Sequence, residues 1–115
     1  MKKFALFVFN GDPMCFIHVL LNALDMKAKG HEAKIIMEGA SVKLVAEVIK
    51  PENPLHGLWK TCLEAGLVAG VCEACSGKLG TLEAAKEQGL TLLEDMSGHP
   101  GMAPYRDNGF DIITF

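Results

Sequence analysis

Leu67-Val68-Ala69-Gly70-Val71-Cys72-Glu73-Ala74-Cys75-Ser76-Gly77-Lys78 decides the fold of this chain. A short apolar, β-branched run ends on a cysteine, and a second cysteine follows three residues later. Such a run, bounded by glycine and small residues, predicts a buried strand, and the residues after it predict a turn that opens a helix. Buried strands of this kind belong to parallel sheets covered by helices. A thiol at the strand–helix junction meets the amide N–H groups and positive dipole end of the helix, which favour the thiolate. The chemistry of the chain is therefore expected at Cys72.

Outward from that run, strands and helices alternate. Lys3–Phe9 predicts strand one, and Asn10-Gly11-Asp12-Pro13 a turn in which Asp12 caps the next helix and Pro13 takes its first position. The first helix runs toward Lys29 and stops at Gly30. Glu32–Met37 is strand two, and Ser41 caps a helix that Pro51 and Pro54 break. A helix over Leu55–Ala65, with Trp59 and Cys62, leads into strand three at Leu67–Val71. Ser76–Gly80 reads as an irregular or single-turn segment, and Thr81–Gln88 as a helix capped by Thr81. Leu90–Leu93 is strand four, Glu94–Met102 a loop, Met102–Asn108 a short helix and Asp111–Phe115 the last strand. The order predicts an α/β three-layer sandwich with a mainly parallel five-stranded sheet, as one domain over residues 1–115. A flavodoxin-like strand order is expected. It places strands one and three side by side, with the turn Asn10–Cys15 beside Cys72 at the edge where ligands bind.

Composition narrows the function. Half of the 115 residues are hydrophobic, enough for a core. With 11 Lys and Arg against 14 Asp and Glu, the net charge is −3, and the basic residues are dispersed. Nucleic-acid binding normally needs clustered positive charge and is not expected. No run is long enough to span a membrane. Lys2-Lys3 precede an apolar stretch that is too short for a signal peptide, so a cytoplasmic protein is expected. Nucleotide cofactors are not expected either: Asn10-Gly11-Asp12 is no dinucleotide fingerprint, and Gly77-Lys78 lacks the rest of a P-loop.

Four cysteines without an export signal point to thiol chemistry rather than structural disulfides. Cys72 and Cys75 make one Cys-x-x-Cys pair, a permissive signal that three explanations fit. As a redox pair, Cys72 attacks and Cys75 resolves. As half a metal site, the pair needs further ligands, for which Cys15, His99 or a second chain are candidates. As a coincidence, Cys75 simply packs beneath the helix. Cys15 lies in the first turn of the first helix and reads as a core or supporting residue, and Cys62 reads as core. His99, in Ser97-Gly98-His99-Pro100, is the one histidine placed in a loop at the predicted active edge, where it can donate a hydrogen bond or a charge to a thiolate. His56 and Trp59 suit a lid or a subunit contact, although Trp59 more often belongs to a core.

Over nearly its whole length the chain resembles the DsrE-like family of intracellular sulfur-relay proteins. The residues that carry the resemblance are the opening strand, the helix ending Lys29-Gly30-His31, the run Leu67–Cys72, and the closing Gly109-Phe110-Asp111-Ile112-Ile113-Thr114-Phe115. The resemblance implies a sulfur carrier or sulfurtransferase in which Cys72 accepts a persulfide and passes it on, with no bound cofactor. It implies sulfur donor and acceptor proteins or small thiols as partners, and a homo-oligomer, trimer or hexamer. Cys75 departs from the simple one-thiol pattern and leaves a thiol-redox or metal-binding module, or an inert oligomeric adaptor, as alternatives. Supporting residues are expected at Asn10, Gly11, Asp12, Cys15 and His99.

Overall fold

The opening strand β1 (Lys3–Val8) pairs in parallel on both sides, with β2 (Glu32–Met37) and with the last strand β5 (Asp111–Thr114). Beyond β2 lie β3 (Val68–Cys72) and a two-residue edge strand β4 (Leu92–Leu93), so the all-parallel sheet runs β4-β3-β2-β1-β5. The computed structural model describes residues 1–115. Its helices are α1 (Pro13–Ala28), α2 (Val45–Val48, entered through a 3-10 turn at Gly39–Leu44), α3 (His56–Glu64), α4 (Glu73–Leu79), α5 (Leu82–Glu87) and α6 (Ala103–Asp107). The α/β sandwich with a five-stranded parallel sheet is as expected.

The strand order is not flavodoxin-like: β2, not β3, is the neighbour of β1. The reason lies in which face each crossover covers. Right-handed crossovers on one face step the chain in one direction across a parallel sheet. Helices α1 to α5 all pack over the face that carries Leu6, Val8, Ile35, Met37 and Val71, so β1 to β4 follow one another in order. Only the last crossover, through α6, uses the other face and returns the chain to the free edge of β1. That second face is small: Ala5, Phe7, Ile36 and Phe110 pack there beneath Tyr105, whose ring meets Phe7 and Phe110 edge-on at 5.5 and 5.7 Å.

Local chemistry sets the boundaries. Asp12 caps α1 as expected, its carboxylate accepting the Met14 N–H at 2.8 Å, with Pro13 beginning the helix. Phe16, Val19, Leu20 and Ala23 recur at helical spacing and are the buried face of α1. Ser41 does not cap a helix; its buried hydroxyl donates to the Val8 and Glu38 carbonyls and fastens the turn after β2. Thr81 sits at the start of α5 but makes no side-chain cap. Trp59 is core rather than lid: it is fully buried, lies 5.9 Å from the Phe16 ring, and donates its indole N–H to Gln88 at 2.8 Å. His56 is held within the fold, Nδ1 lying 2.9 Å from the Val48 carbonyl oxygen.

Strand β3 carries the irregularity that shapes the edge. Ile35 faces Val68 but Ile36 faces Gly70, so Ala69 is an extra residue in a bulge. At Gly70 the carbonyl oxygen of Thr91 occupies the place a Cβ would take, and the Val71 N–H donates to that same oxygen at 2.9 Å. Glycine is what lets the chain before β4 approach this closely. Gly77, inside α4, has open space where its Cβ would be. Gly70→Ala is expected to destabilise the protein by about 2 kcal/mol and Gly77→Ala to stabilise it by about 0.5–1 kcal/mol. Urea unfolding of the two variants beside wild type measures both signs.

Candidate functional site

Three side chains from two segments meet at the C-terminal end of β3. Cys72 is the last residue of β3 and also the N-cap of α4: its Sγ accepts the Cys75 N–H at 3.3 Å. The short β3–α4 connection therefore folds the second cysteine of the pair back onto the first. Cys75, half-buried in the first turn of α4, receives the Gly39 N–H on its own Sγ at 3.3 Å. His99 places Nδ1 3.1 Å from Cys72 Sγ and 3.7 Å from Cys75 Sγ. The three ligating atoms all lie within 4.8 Å of one another.

His99 owes its position to a two-residue hairpin. Met96 N–H donates to the His99 carbonyl at 2.7 Å and His99 N–H to the Met96 carbonyl at 3.0 Å. Between them Ser97 and Gly98 both have positive φ, 52° and 88°, the backbone of a type I′ turn. The Gly98 carbonyl accepts the Ala74 N–H at 2.9 Å, which ties the hairpin to the first turn of α4. A side chain on Gly98 would crowd the Ala74 methyl at 3.3 Å as well as strain the turn. The Ser97-Gly98 pair was a legible turn signal, though it does not by itself reveal that the turn delivers a histidine to the thiols.

The electrostatics differ from the expectation. Helix α4 does begin at Cys72, but Cys72 is fully buried. Burial, above all, pushes its thiol up to about 12, and the Cys75 thiol and the Glu38 carboxyl push in the same direction against the Cys75 N–H. Cys72 is therefore a protonated thiol at neutral pH and not the primed thiolate that the strand–helix junction suggested. Its proton has the His99 Nδ1 and, at 3.7 Å, the Gly98 carbonyl as acceptors. Glu38, nearly buried at the end of β2, has its carboxyl raised by burial, with the His99 imidazole opposing that shift.

Of the expected site residues, the fold brings together Cys72, Cys75 and His99. It does not bring the Asn10–Cys15 turn to Cys72, because the strand order puts β2 between β1 and β3. Asn10 instead accepts the Asp12 N–H at 2.8 Å, Asp12 caps α1, and Cys15 is a half-buried free thiol in that helix. Gly11 lies against Ala40, where a Cβ would come within 3.0 Å of the Ala40 carbonyl oxygen. The place next to the cysteines is taken by Glu38 and Gly39, which sequence reasoning did not single out. Their signal was positional: they follow β2 at the same sheet edge, and that edge becomes the neighbour once the strand order is known.

Under native conditions a thiol-alkylating reagent at pH 8 is expected to label Cys15 and Cys75 well before Cys72 and Cys62, as read by peptide mapping over time. The raised Cys72 and Cys62 thiols, the latter at about 11, also carry a stability consequence. Their protonated forms are favoured by folding, so their contribution is whole below the ordinary thiol value of 9.0 and is lost as pH rises from there toward 11 and 12. Urea midpoints recorded across that interval should fall, and less steeply in Cys62→Ala than in wild type.

No protein-family model matches the chain. It is 34% identical over 97 residues to the uncharacterized protein MJ0733 of Methanocaldococcus jannaschii, a match covering 84% of this chain and 77% of that protein. An uncharacterized protein of Archaeoglobus fulgidus is 47% identical over 38 residues, 33% of this chain and 62% of its own length. The structure of a conserved protein of unknown function, BT1422 from Bacteroides thetaiotaomicron, superimposes with a TM-score of 0.68 over 98% of this chain and 95% of that one, at 22% identity. That likeness is one of fold.

Proposed function

The chain belongs to the family of the Methanocaldococcus protein MJ0733, and from its own site we propose that it handles sulfane sulfur on the Cys72–Cys75 pair, as a sulfur carrier of the DsrE-like kind. The observation that carries this reading is a dithiol at the end of a buried parallel strand with one histidine nitrogen in reach of both sulfurs. The sequence reading takes Cys72 as the acceptor; the partial exposure of Cys75 beside the buried Cys72 supports Cys75 as the entry point instead.

Cys75 Sγ attacks the outer sulfur of a donor persulfide. The bond between the donor's two sulfurs breaks, the new bond forms Cys75–S–SH, and the donor leaves as a thiol that takes up the Cys75 proton. Transfer to an acceptor thiol is the same exchange in reverse and needs no oxidant or reductant. The Gly39 N–H, which donates to Cys75 Sγ, stabilises negative charge there. A second reading is favoured by the closeness of the two sulfurs, within 4.8 Å. In it Cys72 attacks Cys75 Sγ of the persulfide, a Cys72–Cys75 disulfide forms, and the outer sulfur departs as hydrogen sulfide. A thiol reductant then restores the pair, and His99 is placed to take the Cys72 proton.

The same reading holds the protein to be cytoplasmic and homo-oligomeric, as a trimer or hexamer, with donor and acceptor proteins or small thiols as partners. Supporting an assembly, Ala69, Leu93 and Ile112 are only partly buried on the thinly covered face of the sheet. No helix is long and apolar enough to cross a membrane.

Incubation with a persulfide donor followed by intact-mass measurement is expected to add the mass of one sulfur atom to wild type and none to Cys75→Ser. Cys72→Ser should gain the adduct and keep it longer, because the internal route to sulfide release is gone. A wild-type protein that never gains the mass refutes the carrier role. An adduct that survives in Cys75→Ser moves the entry point elsewhere.

A further inference from the structure

We propose that Cys72 Sγ, Cys75 Sγ and His99 Nδ1 also form a binding site for one divalent cation of the zinc class, leaving a fourth position open. The site stands on geometry and is independent of whether sulfur passes through the pair.

Tetrahedral zinc takes sulfur at about 2.3 Å and nitrogen at about 2.0–2.1 Å, so its sulfur and nitrogen ligands lie about 3.5 Å apart. The observed sulfur–nitrogen separations, 3.1 and 3.7 Å, straddle that value. The two sulfurs lie within 4.8 Å of one another, where the ideal is about 3.8 Å. Small side-chain rotations therefore close the set around an ion without moving the backbone. Two thiolates and an imidazole are donors that suit zinc and exclude magnesium and calcium, which take oxygen.

Each ligand is held in place by a different backbone contact. Cys72 is fixed by its capping bond from the Cys75 N–H, and Cys75 by the N–H of Gly39. His99 is fixed by the Ser97-Gly98 hairpin that Ala74 ties down. Amide donors to both sulfurs are the outer-shell support that metal thiolates require. A bound cation would draw both thiols into the thiolate form and release their protons. Three protein ligands with a free fourth position is the arrangement of metal sites that also bind a small ligand. A bound cation would occupy the sulfur lone pairs that a persulfide needs, so metal binding and sulfur transfer compete.

The test is titration of the reduced full-length protein with cobalt(II), followed by displacement with zinc. Wild type is expected to develop thiolate-to-cobalt charge transfer and the visible bands of a tetrahedral ion, saturating at one cobalt per chain and bleached by zinc. Cys75→Ser and His99→Ala, both at partly exposed positions, should each weaken apparent affinity by at least about tenfold. Cys15→Ser should leave it unchanged. Absence of the bands in wild type overturns the site, as does their persistence at full strength in both Cys75→Ser and His99→Ala. Persulfide loading of the zinc-bound form separates the two readings. Cobalt binding without a sulfur adduct in the metal-free protein refutes only the carrier role, whereas an adduct without cobalt bands refutes only the metal site.

Discussion

The hydrogen bond from Ala74 N–H to the Gly98 carbonyl is a backbone joint between two parts of the chain that β3–β4 pairing brings side by side. On one side stands the Cys-x-x-Cys turn at the end of β3; on the other, the hairpin that carries His99. The bond is between backbone groups, so it holds whatever side chains surround it. It also uses an amide in the first turn of α4, one of the donors a helix start leaves unsatisfied. Everything proposed for the site depends on this joint, because without it the dithiol would be a pair of capped sulfurs with no third group.

That joint is possible because the edge of the sheet is irregular. The bulge at Ala69 and the bare α-carbon of Gly70 let the chain before β4 press against β3. Leu92 and Leu93 then pair with Val71 and Cys72 for two residues only, and the chain leaves the sheet in time to fold the hairpin back over α4. A longer β4 would carry the Glu94–His99 segment past the cysteines. The short strand thus serves two ends: it limits the exposed edge of the sheet, and it delivers the histidine.

Burial works against one expectation and in favour of another. A cysteine at a helix start is commonly activated, yet at Cys72 the loss of solvent outweighs the helix and raises the thiol. The capping bond orients the sulfur without ionising it. The same enclosure makes the site selective. A buried thiol beside a second thiol and a carboxyl gains most from a partner that brings positive charge or removes a proton. Sulfur exchange beginning at the more open Cys75, and capture of a soft cation, both meet that condition.

The alternation of apolar runs with helical periods, read along the chain, determined the α/β class, the parallel sheet and nearly every element, because local hydrophobic period and capping chemistry are properties of neighbouring residues. It also determined that Cys72 ends a strand and that Cys75 lies one helical turn beyond, since that spacing needs no distant contact. Strand order was decided only in three dimensions. The C-terminal halves of β1, β2 and β3 are buried on both faces, and such a strand carries no mark of which neighbour it will take. That single choice removed Asn10, Gly11, Asp12 and Cys15 from the site and put Glu38 and Gly39 in their place. Cys72's protonation was likewise decided by packing, because solvation depends on what covers the sulfur and not on the residue that precedes it.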